Sequence, residues 1–399
     1  MAKILIINCG SSSLKYEVYE MPDRKSLGKG LIERIGQSKG IITQKSPKGK
    51  YEEEPPIPDH RKAMEIASKA MTDPKMGFIS SMDEIAAAGH RVVHGGEFYS
   101  ESVVIDDKVM ATIEKVSELA PLHNPPNILG IKETVALMGK KPQVAVFDTA
   151  FHQTLPAEAY MYALPRELYE KYRIRRYGFH GTSHRYVASE AVKMLGTPVA
   201  STNIISCHLG NGASITAVQG GKSVDTSMGF TPLEGLIMGT RSGDLDPAIL
   251  LYLLKRGYDA DSLDKLLNKQ SGLLGLAGLT NDMRDIKKAA AEGNKNAYET
   301  LYVYAHRVRK YIGAYMASMP KTDAIVFTGG VGENSTPTRQ RICERLGGVG
   351  VIFDPKKNEQ LDGKAGVFSA DNSPVKLLVV NTNEELQIAI DTYELAVKK

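Results

Sequence analysis

Four side chains in this sequence stand where they could act on an anion. His208 follows the apolar run Ile204–Cys207, and after it come Leu209-Gly210-Asn211-Gly212 before alternation resumes over Ala213–Val218. That order reads as strand, glycine turn, strand. The tip of such a hairpin can bring bare backbone N–H groups against a phosphate, with His208 in reach of it. Arg241 lies in Gly239-Thr240-Arg241-Ser242-Gly243, among small residues that let a ligand approach closely; the plain alternative is a solvated loop arginine. Arg91 lies in the apolar strand context Gly89-His90-Arg91-Val92-Val93, where an unpartnered guanidinium would be costly. It therefore belongs to a buried ion pair or to a binding site. Asp148 closes the short strand Val144–Phe147, the edge at which α/β domains place their working groups.

The elements that must position these groups repeat. Ile4-Leu5-Ile6-Ile7 runs into Asn8-Cys9-Gly10-Ser11-Ser12-Ser13, then Leu14–Tyr19 alternates, matching Ile4 to Ile204 and Gly10 to Gly210. Two such hairpins half a chain apart suggest a duplicated domain that grips a phosphate chain between its copies. A length of 399 residues suits two domains. Strands alternating with helices through the first half (helices expected at His60–Met71, 107–119 and Asn127–Met138, strands at Ile85–Val93 and Val144–Phe147) indicate an α/β domain over residues 1–150. The second domain is expected over 151–384, with the C-terminal helix 385–399 packing back on the first. Gln37–Asp59 reads as a surface loop or flap, and Pro121–Pro126 as a rigid loop. Ser183 reads as the cap of the helix after Arg175-Arg176-Tyr177-Gly178-Phe179-His180-Gly181-Thr182. Helices are also expected at 248–256, 261–267 and 285–319. The strand Ala324–Phe327 should break at Thr328–Asn334 before a helix opened by Thr336-Pro337.

Composition removes several classes. A net charge of +4 with no basic run excludes nucleic acid as a partner, and no apolar stretch approaches membrane-spanning length. Cys9, Cys207 and Cys343 form neither a CxxC pair nor a disulfide framework, which fits reduced thiols in a cytoplasmic protein. Gly221-Lys222-Ser223 resembles the end of a Walker A loop, but Thr216 stands where its first glycine is required. Gly330-Val331-Gly332 lacks the third glycine of the dinucleotide fingerprint, with Ser335 in its place. Phosphate binding must then come from hairpin tips.

The segments NCGSSSLKYEVY (from Asn8), GHRVVHGGE (from Gly89), FDTAFH (from Phe147), RRYGFHGTSH (from Arg175), HLGNGAS (from His208), GFTPLEGLIMGTRSGDLDP (from Gly229) and FTGGVGENS (from Phe327) resemble the acetate kinase family in its own order along nearly the whole chain. The resemblance implies an α/β fold of duplicated ribonuclease-H-like (actin-like ATPase) domains flanking a cleft. It implies ATP/ADP and Mg²⁺ (Mn²⁺ also possible) as cosubstrates, acetate and acetyl phosphate as the other reactants, direct in-line transfer, and a homodimer. A carboxylate acceptor with a pKa of about 4 is already ionised at neutral pH. The difficulty is bringing two anions together, which calls for fixed cations and N–H donors.

By resemblance, His180 and Arg241 stabilise the transition state and Arg91 serves the acetate and phosphoryl site. Asp148 carries a proton, or orients Mg²⁺, its water or Arg91. Asn8 and Glu384 hold the metal, in keeping with the few protein oxygens Mg²⁺ takes. Lys15, His208, Leu209, Gly210, Asn211 and Gly212 attend the phosphates. Asp282, Met283 and Arg284, with Gly330, Val331, Gly332, Glu333 and Asn334, attend the base and sugar. Val93, Leu122, Phe179 and Pro232 form a small apolar pocket for the acetate methyl. One methylene discriminates by only about 1–3 kcal/mol, so propionate is the expected second substrate. A kinase preferring propionate or butyrate is the nearest rival. A nucleotide-driven switch of the same fold would leave Arg91, His180 and Arg241 without a purpose.

Overall fold

A computed structural model describes residues 1–398 as two compact units, Met1–Gln153 together with the segment from Asn383, and Thr154–Thr382. Asn383 and Glu384 thus belong with the first unit rather than with the second.

The first unit is built on an eight-stranded sheet in the order β5-β4-β3-β2-β1-β6-β8-β7. Its strands are β1 (Ala2–Cys9), β2 (Ser13–Met21), β3 (Lys25–Glu33), β4 (Ile41–Ser46), β5 (Gly49–Glu53), β6 (Ile85–Val92), β7 (Val103–Val104) and β8 (Gln143–Phe147). β1 is antiparallel to β2 and parallel to β6, and β6 is parallel to β8. The near-continuous apolar run of β1 is explained by burial on both faces. Leu5, Ile7 and Cys9 join a core with Ala63, Met64 and Met138 of the helices His60–Met71 and Asn124–Met138. On the other face the helix Glu384–Ala396 packs over β1, β6 and β8. Gly89 permits this close approach: a Cβ there would meet Thr392 Oγ1 at 2.2 Å and Ile388 Cγ2 at 2.7 Å.

The second unit carries a six-stranded sheet, β11-β10-β9-β12-β14-β13. Here β9 is Asn203–Leu209, β10 Ala213–Gln219, β11 Lys222–Thr226, β12 Ala324–Thr328, β13 Gly366–Val367 and β14 Lys376–Val379. β9 is antiparallel to β10 and parallel to β12, and β12 is parallel to β14. The five-strand cores β3-β2-β1-β6-β8 and β11-β10-β9-β12-β14 therefore share order and direction. This is the ribonuclease-H-like duplication the two hairpins announce.

Several local expectations are corrected. Within Gln37–Asp59 lies the hairpin β4–β5, paired onto β3. Its core signal was hidden because Gln44 is a buried polar residue, accepting from Tyr16 Oη at 2.8 Å and donating to Ala70 O at 2.8 Å. Pro125 and Pro126 lie in the first turn of the helix Asn124–Met138, where missing N–H groups cost nothing. Ser183 is not a cap: the helix Gly181–Leu195 begins after His180, whose backbone is left-handed at φ 57°. The stretch 285–319 is two helices, Met283–Ala291 and Lys295–Ser318, parted at Gly293 with φ 92°. The expected break after β12 is itself helical, Gly329–Asn334. There Gly329 has φ 77°, and a Cβ would lie 2.8 Å from Leu209 O.

Candidate active site

In the first unit the working residues gather at the C-terminal ends of three adjacent parallel strands. Asn8 is the penultimate residue of β1; β6 pairs His90 with Ile7, which puts Arg91 next in register, and Asp148 follows β8 directly. Asp148 is 1% exposed, and Arg91 grips it with Nη2 on Oδ2 and Nε on Oδ1 at 3.1 Å. Glu384 Oε2 lies 3.8 Å from Arg91 Nε. Burial pulls the Arg91 pKa down, but the carboxylates of Asp148 and Glu384 more than offset it and leave it above the ordinary value. Burial holds the Glu384 carboxyl above its usual range; Arg91 and Lys15 oppose that shift and Glu385 adds to it. Arg91 is thus both ion-paired and at the strand edge, so the two readings of it meet in one arrangement. Lys15 pairs across the hairpin with Asn8 and is exposed.

Two residues that sequence reasoning missed hold this edge in place. Asn127 accepts from Val93 N at 3.0 Å and donates to Cys9 O at 2.8 Å. Asn124 accepts from His94 N and donates to His94 O, each at 3.0 Å. Asparagines flanking two prolines in Asn124-Pro125-Pro126-Asn127 were the available signal, but reading Pro121–Pro126 as a loop and starting the helix at Asn127 concealed it.

In the second unit the hairpin tip Gly210-Asn211-Gly212 is approached from two sides. A Cβ on Gly212 would lie 3.2 Å from His180 Nε2 and 3.9 Å from Arg241 Nη1. A Cβ on Gly210 would lie 3.8 Å from His208 Nε2 and 3.9 Å from Gly330 N. The rings of His180 and His208 stack with centroids 4.4 Å apart. His180 Nδ1 is 2.9 Å from Ser214 Oγ, and His208 Nδ1 is 2.8 Å from Ser183 Oγ. Arg241 is half-buried, and burial holds its pKa below that of a free arginine. It donates to Pro232 O at 2.9 Å and Met238 Sδ at 3.5 Å, and among the described residues no carboxylate pairs with it. A desolvated cation without a counter-charge, beside two imidazoles and a bare backbone tip, is a ready-made seat for an anion.

Next to the tip opens a cavity of about 510 Å³. Its wall includes Gly210, Asn211, Asp282, Met283, Arg284, Gly330, Val331 and Asn334 from the sequence reading, with Leu273, Asn281, Lys287 and Ser335 in addition. Gly332 and Glu333 lie outside that wall: Gly332 O accepts from the buried Arg339 at 2.7 Å, and the Glu333 carboxylate is taken up by neighbouring segments. Asp282 caps the helix Met283–Ala291 and pairs with Arg284, which together hold its carboxyl at about 2. Of the apolar set, Val93 and Phe179 are buried, Pro232 is half-buried, and Leu122 is 69% exposed.

Two glycine-tipped hairpins on duplicated sheets, one edged by a guanidinium–carboxylate cluster and one by imidazoles, define a duplicated α/β protein with its polar and charged side chains gathered at the strand ends. The chain belongs to the acetokinase family, whose family model matches residues 3–390. It is 56% identical over 397 residues to an acetate kinase of Clostridium botulinum (strain Kyoto / Type A2), covering 99% of this chain and all of that one. The crystal structure of Porphyromonas gingivalis acetate kinase superposes with a TM-score of 0.96 at 46% identity, covering 99% of this chain and all of that one. A propionate kinase from Francisella tularensis superposes with a TM-score of 0.93 at 43% identity over the same shares.

Proposed function

We propose that this protein transfers the γ-phosphoryl group of ATP reversibly to acetate, directly and in line, giving acetyl phosphate and ADP. The observation that carries the reading is Arg241, a half-buried guanidinium with no carboxylate partner among the described residues, facing the same glycine tip as His180 Nε2. With an ionised acceptor no base is required, and the protein's task is to neutralise charge and fix geometry. His180 and Arg241 donate to the equatorial oxygens of the transferring group. His208, Leu209, the tip residues Gly210, Asn211 and Gly212, and Lys15 hold the phosphates. The cavity beside the tip takes base and sugar; its volume lies in the range of small-molecule sites.

Arg91 binds the acceptor carboxylate. Asp148 acts by orienting Arg91, because both its oxygens are engaged by that guanidinium. Val93, Leu122, Phe179 and Pro232 contact the methyl group, and acetate is preferred to propionate. Asn8 and Glu384 would hold Mg²⁺ or Mn²⁺. The donor set fits: an amide and a carboxylate are hard oxygen ligands, and a carboxyl whose ionisation is opposed by burial is one a cation would stabilise. The metal supplies charge neutralisation on the phosphates.

A homodimer is supported by the helix Ala248–Leu254 (AILLYLL), which has no buried residue and exposes Leu251 and Tyr252 by 62% and 56%. Three buried free thiols accord with a cytoplasmic setting. The test is to trap acyl phosphate with hydroxylamine from ATP, Mg²⁺ and a series of carboxylic acids. Acetohydroxamate formed most efficiently supports the reading; a larger acid preferred in kcat/KM moves it to a longer-chain kinase, and no hydroxamate with ATP still bound sinks it.

A further inference from the structure

Glu333 departs furthest from a ligand-facing role. Its Oε1 accepts from Gly329 N at 2.8 Å, Thr382 N at 3.0 Å and Thr328 Oγ1 at 3.2 Å, and its Oε2 accepts from Asn381 Nδ2 at 2.8 Å. Four donors use up most of what a carboxylate can accept. The residue ties the turn after β12, part of which walls the cavity, to the segment Asn381-Thr382. The line continues from there. Thr382 Oγ1 lies 2.8 Å from Ser183 Oγ, and Ser183 Oγ lies 2.8 Å from His208 Nδ1. Ser183 is fully buried in the first turn of its helix, so its hydroxyl has these two neighbours rather than solvent.

We propose that Glu333, Thr382 and Ser183 are positioning residues that fix the orientation and tautomer of His208, setting the phosphate-binding imidazole and the cavity turn together. The proposal rests on the kinase reading above. A serine hydroxyl has one proton to give. When Thr382 donates to Ser183 and Ser183 donates to Nδ1, the imidazole carries its proton on Nε2, the nitrogen facing Gly210, and donates to an anionic oxygen at the tip. The reversed run would present a lone pair to the phosphate. An anion at the tip therefore selects the first direction, and the Glu333 contact to Thr382 N keeps the threonine in place to sustain it. Because hydroxyls back the ring and the Glu333 carboxylate meets Thr382 through its backbone N–H, the tautomer is set without a negative charge directly behind the imidazole.

The test uses the full chain with isotope-labelled histidine, with and without MgADP, in wild type, Thr382→Val, Ser183→Ala and Thr382→Ser. In wild type His208 should be protonated at Nε2 when MgADP is bound. Thr382→Val and Ser183→Ala should give mixed tautomers and a kcat lower by about 3–10-fold, the loss of one ordinary hydrogen bond. KM for ATP should stay within about two-fold, since the cavity wall is untouched. Thr382→Ser should restore both readouts. Glu333→Gln should stay near wild type, because Asn381 can turn its amide to meet the new one at the cost of its 3.3 Å contact to Gly363 O. Glu333→Ala should lower kcat as Thr382→Val does and also raise KM for ATP, because it frees the turn that walls the cavity. An unchanged tautomer and kcat in both Thr382→Val and Ser183→Ala overturns the proposal. So does a folded Thr382→Ser that restores neither. If wild type makes no acetyl phosphate yet His208 follows the hydroxyls as described, the kinase reading falls and the positioning line stands.

Discussion

Each unit has its own sheet built to the same five-strand plan, and the two use its end differently. At the edge of the first, the strand-end positions on β1, β6 and β8 carry Asn8, Arg91 and Asp148. At the corresponding edge of the second, β9, β12 and β14 present His208 and Thr328, with Val380 next. The first edge is ionic and holds its cation with a buried carboxylate. The second is made of imidazoles, hydroxyls and bare amides, with Arg241 brought in from a loop and, among the described residues, left without a carboxylate. The difference teaches that a duplicated scaffold can divide labour by charge state alone. A prepaired guanidinium is suited to being fixed in place. An unpaired one is suited to taking on an anion that arrives.

If that contrast is right, the largest loss comes from the unpaired side. Arg241→Ala or His180→Ala should cost on the order of 2.7–4 kcal/mol of barrier, about 10²–10³ in kcat, with the circular dichroism spectrum and Tm kept. Near-normal turnover would remove the anion seat from the second unit. On the prepaired side, Arg91→Ala should lose activity and fold stability together. It takes the guanidinium away from the Asp148 carboxylate, which is 1% exposed, and breaking such a buried pair costs about 3–5 kcal/mol in denaturant titration. A variant that is inactive yet as stable as wild type would show that Arg91 was never a structural partner.

A smaller effect separates the units by pH. Burial depresses His90 to about 4, and its Nε2 lies 2.7 Å from Gln143 Oε1. The unfolded chain binds that proton below the ordinary value of about 6.5, while the folded chain does not until about 4. Stability should therefore fall as pH drops through this window, and His90→Gln should flatten the fall. An unchanged slope would exclude His90 as its source. The smallest effect is expected at Arg284, 85% exposed and, among the described residues, ion-paired only with Asp282. Arg284→Ala should leave Tm unchanged and raise KM for ATP without lowering kcat; a normal KM would take it off the nucleotide wall.

Some of this was legible without coordinates. The alternation around Gly10 and Gly210, the strand Ala324–Phe327 and the helix His60–Met71 follow from local periodicity, and the structure has β1–β2, β9–β10, β12 and that helix where the pattern put them. The hairpin β4–β5 was missed because Gln44 is buried among carbonyls that only the fold supplies. The start of the helix Asn124–Met138 was missed because two prolines read as a break from outside and as a first turn from inside.

By itself the sequence determined which residues could carry charge, where the glycine tips fall, and that the chain is a duplicated member of the acetokinase family, since hairpin periodicity and motif order are properties of the chain alone. Only the tertiary structure decided which charges are paired. Asp148 lies 57 residues from Arg91, Thr382 lies 199 from Ser183, and among the described residues no carboxylate falls beside Arg241. Such distances close through the packing of sheets and helices, and that packing separates a cation already satisfied from one still available to a ligand.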